Sequence, residues 1–185
     1  DEFFKRYMTP IGLTCVDPKA DFYRKGYWCG AIWIPFQWLF WKWFIGQGRF
    51  EEAGLIAENF LSAYEKAYLK RPCCFEKIDL ETAVGCGDLA FGALAAPVVN
   101  LWAAYYKPGT LSLGYATVPL SVNIAEDLSS AEITLITEER SDKTGGLILW
   151  WLTQDRRDEK GGADLLTTLP FILTAVANLG LATSL

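Results

Sequence analysis

The chain contains no histidine, so acid–base chemistry near neutral pH falls to carboxylates, cysteine or tyrosine. Its five cysteines, Cys15, Cys29, Cys73, Cys74 and Cys86, include no C-x-x-C pair. That spacing, without imidazole, argues against a zinc set and leaves Cys29 without the base that a nucleophilic thiol needs. Such thiols behave as small apolar residues and fit a reducing compartment. No metal or other cofactor is expected. Two stretches remain where chemistry could reside. Residues 72–92, PCCFEKIDLETAVGCGDLAFG, carry Glu76 and Asp79 in a connection with no helical or strand period. Structureless connections longer than about 12–15 residues are usually functional. The other stretch, Gly26 to Ile45, reads GYWCGAIWIPFQWLFWKWFI and holds five of the eight tryptophans beside a single charge, Lys42. Indoles this dense either fill a core or bind something flat.

The elements that must position these residues follow from spacing. Pro35 suits a first helical turn, and Phe36, Leu39, Phe40, Trp43 and Phe44 then recur at steps of three and four, predicting a buried helix with these residues on one face. The competing reading is a membrane span of about twenty apolar residues, opposed by Lys42, Gln37 and Pro35 inside the run. After the turn Gly46-Gln47-Gly48, a second helix is predicted. Ala53, Ile56, Ala57, Phe60, Leu61, Tyr64 and Tyr68 form its dry face, and Glu51, Glu52, Glu58, Asn59, Ser62, Glu65 and Lys66 its wet one. The pair reads as an αα-hairpin, stopped by Pro72. A third helix is expected from about Ala93 to Tyr106, while residues 1–25 read as loop, broken by Pro10, Gly12 and Pro18.

Composition changes at Lys107-Pro108-Gly109, which divides a helical segment, 1–107, from a β-rich one, 108–185. Strands are predicted in LSLGYATVPLSVNIA, in AEITLIT and in GGLILWWL, the last two joined by the charged turn EERSDKTGG. Residues 153–164 read as surface loop. The uncharged tail, Leu165 to Leu185, reads equally as strand–turn–strand or buried helix, and its length also admits a span.

At 185 residues, 51% apolar and 15% aromatic, the chain can bury a sizeable core. A net charge of −5, with no basic cluster beyond short pairs such as Arg156–Arg157, argues against nucleic acid as the partner. No Asn-x-Ser/Thr sequon or signal peptide is present, and the missing initiator Met fits a start within a longer product.

Taken in order, GYWCGAIWIPFQWLF, an amphipathic helix and FEKIDLETAVGCGDLAFGALAA resemble the C-terminal part of the catalytic domain in inverting glycosidases built on a six-hairpin α/α barrel. That group includes trehalases, glycan-trimming α-glucosidases and mannosylglycerate hydrolases. Tyr27-Trp28, Gly30 and Ile32-Trp33 match Y-W-R-G-P-[IV]-W; Glu76, Asp79 and Thr82 match Y-E-x-[YF]-[DN]-P-x-T-G; Phe91-Gly92 match x-[HF]-x-G-W-[ST]. The match covers Tyr27 to Tyr106, with Cys29 standing where the family has Arg and Ala93 where it has Trp. The resemblance implies a mainly α fold, residues 1–106 forming the last hairpins of an α/α barrel, followed by a β-rich region.

It implies Glu76 as the water-activating base, with Tyr27, Trp28, Trp33, Asp79 and Phe91 as the wall against an oligosaccharide or disaccharide. The general acid of the family is an aspartate before the tryptophan motif, and residues 1–25 hold no match for it. The rest of the catalytic domain, with that acid, is therefore expected on another polypeptide. On residue type alone the plain readings stand beside these. Glu76 could be a solvated loop carboxylate, Trp28 and Trp33 core, Asp79 a turn cap, Tyr27 and Phe91 packing. Gly85 and Gly87 are expected to supply positive φ.

Overall fold

A computed structural model describes residues 2–24, 26–107, 110–115, 117–126, 130–137, 145–149, 171–175 and 183–184. These residues are mixed α/β, with four α-helices and small antiparallel sheets, and the chain divides into two units. One comprises Asp1–Trp41 and Glu51–Leu101, the other Lys42–Phe50 and Trp102–Leu185.

In the first unit the segment expected as loop is partly ordered. Helix α1 (Glu2–Tyr7) has Glu2 in its first turn and Lys5 and Arg6 in its last, which complements the helix dipole. It leads into a two-stranded ribbon, β1 (Met8–Thr9) and β2 (Gly12–Leu13), around Pro10 and Ile11. The Thr9 hydroxyl ties this turn, donating to the Gly12 carbonyl at 2.6 Å and accepting from the Ile11 N–H at 3.3 Å. These elements are too short to print a period in the sequence.

Helix α2 (Ile34–Gly46) forms where expected but buries a different face. Ile34, Gln37, Trp41, Phe44 and Ile45 are buried, whereas Leu39 and Trp43 are exposed. The decisive residue is Gln37. Its Oε1 accepts from the Leu13 N–H at 2.7 Å, and its Nε2 donates to the Leu13 carbonyl at 2.8 Å and the Trp33 carbonyl at 3.0 Å. A fully buried amide is tolerable only with its partners supplied, and here it completes the backbone bonding of β2. Gly12 (φ +124°) leaves room for it, since a Cβ there would lie 2.7 Å from Gln37 Oε1.

Helix α3 (Phe50–Lys70) is amphipathic as predicted, but towards its C-terminus the buried stripe runs through Ala63 and Ala67, and Tyr68 is exposed. Asn59, assigned to the wet face, donates to the Thr9 carbonyl at 3.0 Å. Tyr64 packs on Phe75, ring centroids 4.6 Å apart.

Residues 72–92 contain two strands that the sequence reading missed, β4 (Lys77–Ile78) and β5 (Gly85–Cys86), which form a three-stranded antiparallel sheet with β3 (Ile32–Trp33). A 3-10 turn, Gly92–Leu94, precedes helix α4 (Ala95–Tyr106), which starts two residues later than expected and holds Pro97 in its first turn, where no N–H is required. Trp38 on α2 donates to Asn100 on α4 at 2.7 Å.

In the second unit, α2 ends in a Schellman closure. The Arg49 N–H reaches the Phe44 carbonyl and the Gly48 N–H that of Ile45, both at 2.9 Å, with Gly48 at φ +69°. The Arg49 guanidinium lies over the Phe44 ring at 4.5 Å. Strand β6 (Leu111–Leu113) pairs with β9 (Gly145–Leu149), which also pairs with β10 (Phe171–Ala175). Strand β7 (Thr117–Ile124) pairs with β8 (Ala131–Thr137), and β8 with β11 (Thr183–Ser184). The register shifts between Pro119 and Ser121, where the proline lacks a ladder donor. Consecutive strands β8 and β9 therefore enter different sheets, as do the two strands of the tail. Ile133 and Leu135 are buried at alternate positions of β8. Pro108, Gly109, the charged turn over 138–144 and the loop 153–164 lie outside the described residues.

Among the described residues no helix is long and apolar enough to cross a membrane.

Candidate functional site

The three-stranded sheet joins the two stretches singled out in the sequence. Trp33 pairs with Lys77 and Lys77 with Cys86; Ile32 pairs with Ile78 and Ile78 with Gly85. Directly opposed residues of antiparallel strands share a face, and successive residues alternate. Ile32 and Ile78 are accordingly buried in the core, with the Phe75 ring occupying the space beside Gly85. Gly85 is required for that close approach rather than for positive φ, whereas Gly87 does adopt φ +82°.

Glu76 enters just before β4, its N–H donating to the Cys86 carbonyl at 3.2 Å. It is only 9% exposed, not a solvated loop carboxylate. Its Oε2 accepts from the Tyr27 hydroxyl and from the Asp88 N–H, the latter at 3.3 Å. Gly87 lies so close that a side chain there would collide with the same oxygen. The carboxylate beside the Tyr27 hydroxyl raises the phenol to about 12, so Tyr27 remains a donor over the whole neutral range.

Tyr27 is 54% exposed, yet its ring is held on several sides. The Lys77 ammonium lies over it at 3.9 Å and over the Trp33 ring at 4.8 Å, and Lys77 Nζ donates to the Tyr27 carbonyl at 3.4 Å. The ring meets Trp33 edge-on at 4.9 Å and Trp28 at 5.8 Å. Trp28 stacks on Trp33 at 3.5 Å. These two indoles divide the alternatives left by the sequence. Trp33 is 1% exposed and belongs to the core, its Nε1 without a hydrogen-bond partner among the described residues; Trp28 covers it and is 51% exposed. The loop bearing Trp28 is anchored by Cys15, whose thiol donates to the Trp28 carbonyl at 2.8 Å and accepts from the Gly30 N–H at 3.4 Å. Burial pushes that thiol up. Gly30 (φ +118°) is forced by the Tyr23 ring, 2.6 Å from where a Cβ would stand.

Beside this cluster lies a cleft of about 340 Å³, lined by Arg24, Tyr27, Cys29, Lys77, Asp79, Glu81 and Cys86 among others. Glu76 is not part of the lining; Tyr27, which is, connects the two. Arg24, in the left-handed region at φ 64°, pairs with Glu81 across the cleft lining. Asp79 is occupied by its own loop. Its Oδ1 accepts from the Thr82 N–H and hydroxyl, both at 2.8 Å, and from the Glu81 N–H at 3.1 Å. The Thr82 donors hold the carboxylate below its usual range. Phe91 caps the 3-10 turn and donates from its N–H to the Cys74 carbonyl at 2.9 Å. Its ring joins none of the aromatic contacts around Tyr27 among the described residues.

Of the predicted site residues, Glu76, Tyr27, Trp28 and Trp33 thus come together, Asp79 faces the neighbouring cleft as a turn cap, and Phe91 stands apart. Sequence reasoning missed Lys77, Arg24 and Glu81. Lys77 alone carried a signal, its place next to Glu76. No cluster of His, Cys, Asp or Glu suited to a metal occurs among the described residues. Compared with family models, with curated proteins and with solved structures, the chain matches none.

Proposed function

We propose that the chain contributes the base side of an inverting glycoside hydrolase acting on α-glucosides or related sugars, as the last hairpins of an α/α barrel followed by a β-rich region. The observation that carries this reading is the meeting of Tyr27, Trp28 and Trp33 with Glu76, two separate motifs of one resemblance joined by the β3–β4 pairing. Glu76 Oε1 accepts no hydrogen bond among the described residues and is the oxygen that takes a proton from water. The water oxygen forms its bond to the anomeric carbon as the glycosidic C–O bond breaks. The leaving oxygen takes its proton from a carboxylic acid on the opposite face, about 6.5–9.5 Å from Glu76 in an inverting site. That acid is assigned to the remaining barrel, outside residues 1–185. The exposed indole of Trp28 supplies the platform for the sugar.

A second reading, carbohydrate binding without hydrolysis, is favoured by Cys29 in the cleft where the family places an Arg, since a thiol cannot reproduce a planar fork of donors. The two separate on turnover, which the binding reading does not expect from the parent. With the acid-bearing portion present, Glu76→Gln lowers turnover of an α-glucoside by about a hundredfold or more, the scale of general-base catalysis, while the fold is kept. Unchanged turnover removes Glu76 from the mechanism.

A further inference from the structure

The same oxygen of Glu76 is engaged from two directions. Oε2 accepts the Tyr27 hydroxyl from the aromatic run and the Asp88 N–H from its own loop. A carboxylate held by two donors on one oxygen cannot rotate about its terminal torsion without losing both, so the other oxygen is fixed in direction. The donor from Tyr27 is itself immobilised. Lys77 covers its ring at 3.9 Å and bonds its carbonyl at 3.4 Å, and Trp33 and Trp28 meet the ring edge-on at 4.9 and 5.8 Å.

We infer that Tyr27 is a positioning residue for the Glu76 carboxylate, its hydroxyl holding Oε2 so that Oε1 is the base oxygen presented to water, with Lys77 and the two indoles holding the phenol in place. This rests on the reading of Glu76 as a base. It also reassigns Tyr27 from a wall residue that touches sugar to one that acts through the carboxylate. The phenol is suited to the task because, beside this carboxylate, it stays protonated up to about 12. The contact does not depend on charge on Tyr27, so Phe retains the ring packing and removes only the hydrogen bond.

The test uses Tyr27→Phe and Glu76→Gln side by side in the full chain, assayed with the acid-bearing portion. Tyr27→Phe is expected to lower kcat on an α-glucoside about tenfold to hundredfold, the range for a misdirected catalytic group, with KM changed less than about twofold. A wall residue would instead raise KM. Independently of activity, ultraviolet titration of the parent contains a high-pH tyrosinate step shared by Tyr27 and Tyr64, which Tyr27→Phe reduces by one tyrosine and from which Glu76→Gln moves one tyrosine down towards the ordinary value near 10. Parent kcat in Tyr27→Phe while Glu76→Gln is inactive overturns the positioning role alone. Parent turnover in Glu76→Gln overturns the hydrolase reading beneath it. A tyrosinate step unmoved by Glu76→Gln shows that the hydroxyl does not rest on this carboxylate and overturns the inference whatever the kinetics.

Discussion

At the scale of single residues, two tyrosines report on the packing around Glu76. Tyr27 is raised to about 12 by the Glu76 carboxylate, and Tyr64, against Phe75, is raised to about 12 by burial. A group whose folded pKa lies above its unfolded value contributes stability fully below the unfolded value and loses it as pH rises through the folded one. Stability should therefore hold up to about pH 10 and decline from there to about pH 12. Urea denaturation midpoints across that window check this. Tyr64→Phe keeps the ring on Phe75 and is expected to flatten the decline, and an unchanged slope would mean that the Tyr64 hydroxyl is solvated. Asp79 illustrates the opposite lesson. It matched a site motif in the sequence, yet its carboxylate serves Thr82 and Glu81 of its own turn. Residue type and order do not separate the two carboxylates; the local geometry does, since Glu76 accepts from Tyr27 of the other stretch and Asp79 only from its own turn.

At the scale of elements, the arrangement depends on very short strands held by side chains. Gln37 supplies both a donor and an acceptor to Leu13 and a donor to Trp33, the residue that opens the site. Gln37→Leu is close in size but leaves buried backbone groups unpaired, at about 1–3 kcal/mol each. It should destabilise the protein by about 2 kcal/mol or more and slacken Trp33, seen as a lower thermal midpoint and a shifted tryptophan emission. A loss under about 0.5 kcal/mol would show that the clamp is dispensable. Helices α2, α3 and α4 were legible because each runs for a dozen residues or more, and the six-residue α1 was not. The strands β3, β4 and β5 were not, because two residues cannot display a period of two. The buried face of α2 was misjudged for a related reason. In a helix rich in aromatics on every side, the direction of the core is set by one satisfied glutamine, which hydropathy counts as polar.

At the scale of the whole molecule, the division into Asp1–Trp41 with Glu51–Leu101 and Lys42–Phe50 with Trp102–Leu185 places every member of the candidate site in one unit. The proposed function requires the tryptophan-rich run and the Glu76 loop to form one sugar site within that unit. In this arrangement Trp28 is the indole open to a ligand, Trp33 lies beneath it, and Glu76 is beside both through Tyr27. Tyr27, Trp28, Trp33 and Glu76 were readable in advance as separate motifs. Their convergence followed only from the resemblance, through the helical pair between them; in the structure the pairing of Trp33 with Lys77, which the sequence did not display, joins them. The most direct measurement is titration of intrinsic tryptophan fluorescence with α-glucosides in the parent chain, Trp28→Ala and Glu76→Gln. A single sugar site gives a saturable quench in the parent, its loss in Trp28→Ala and its retention in Glu76→Gln; a parent chain indifferent to every α-glucoside, or a quench that survives removal of Trp28, rules it out.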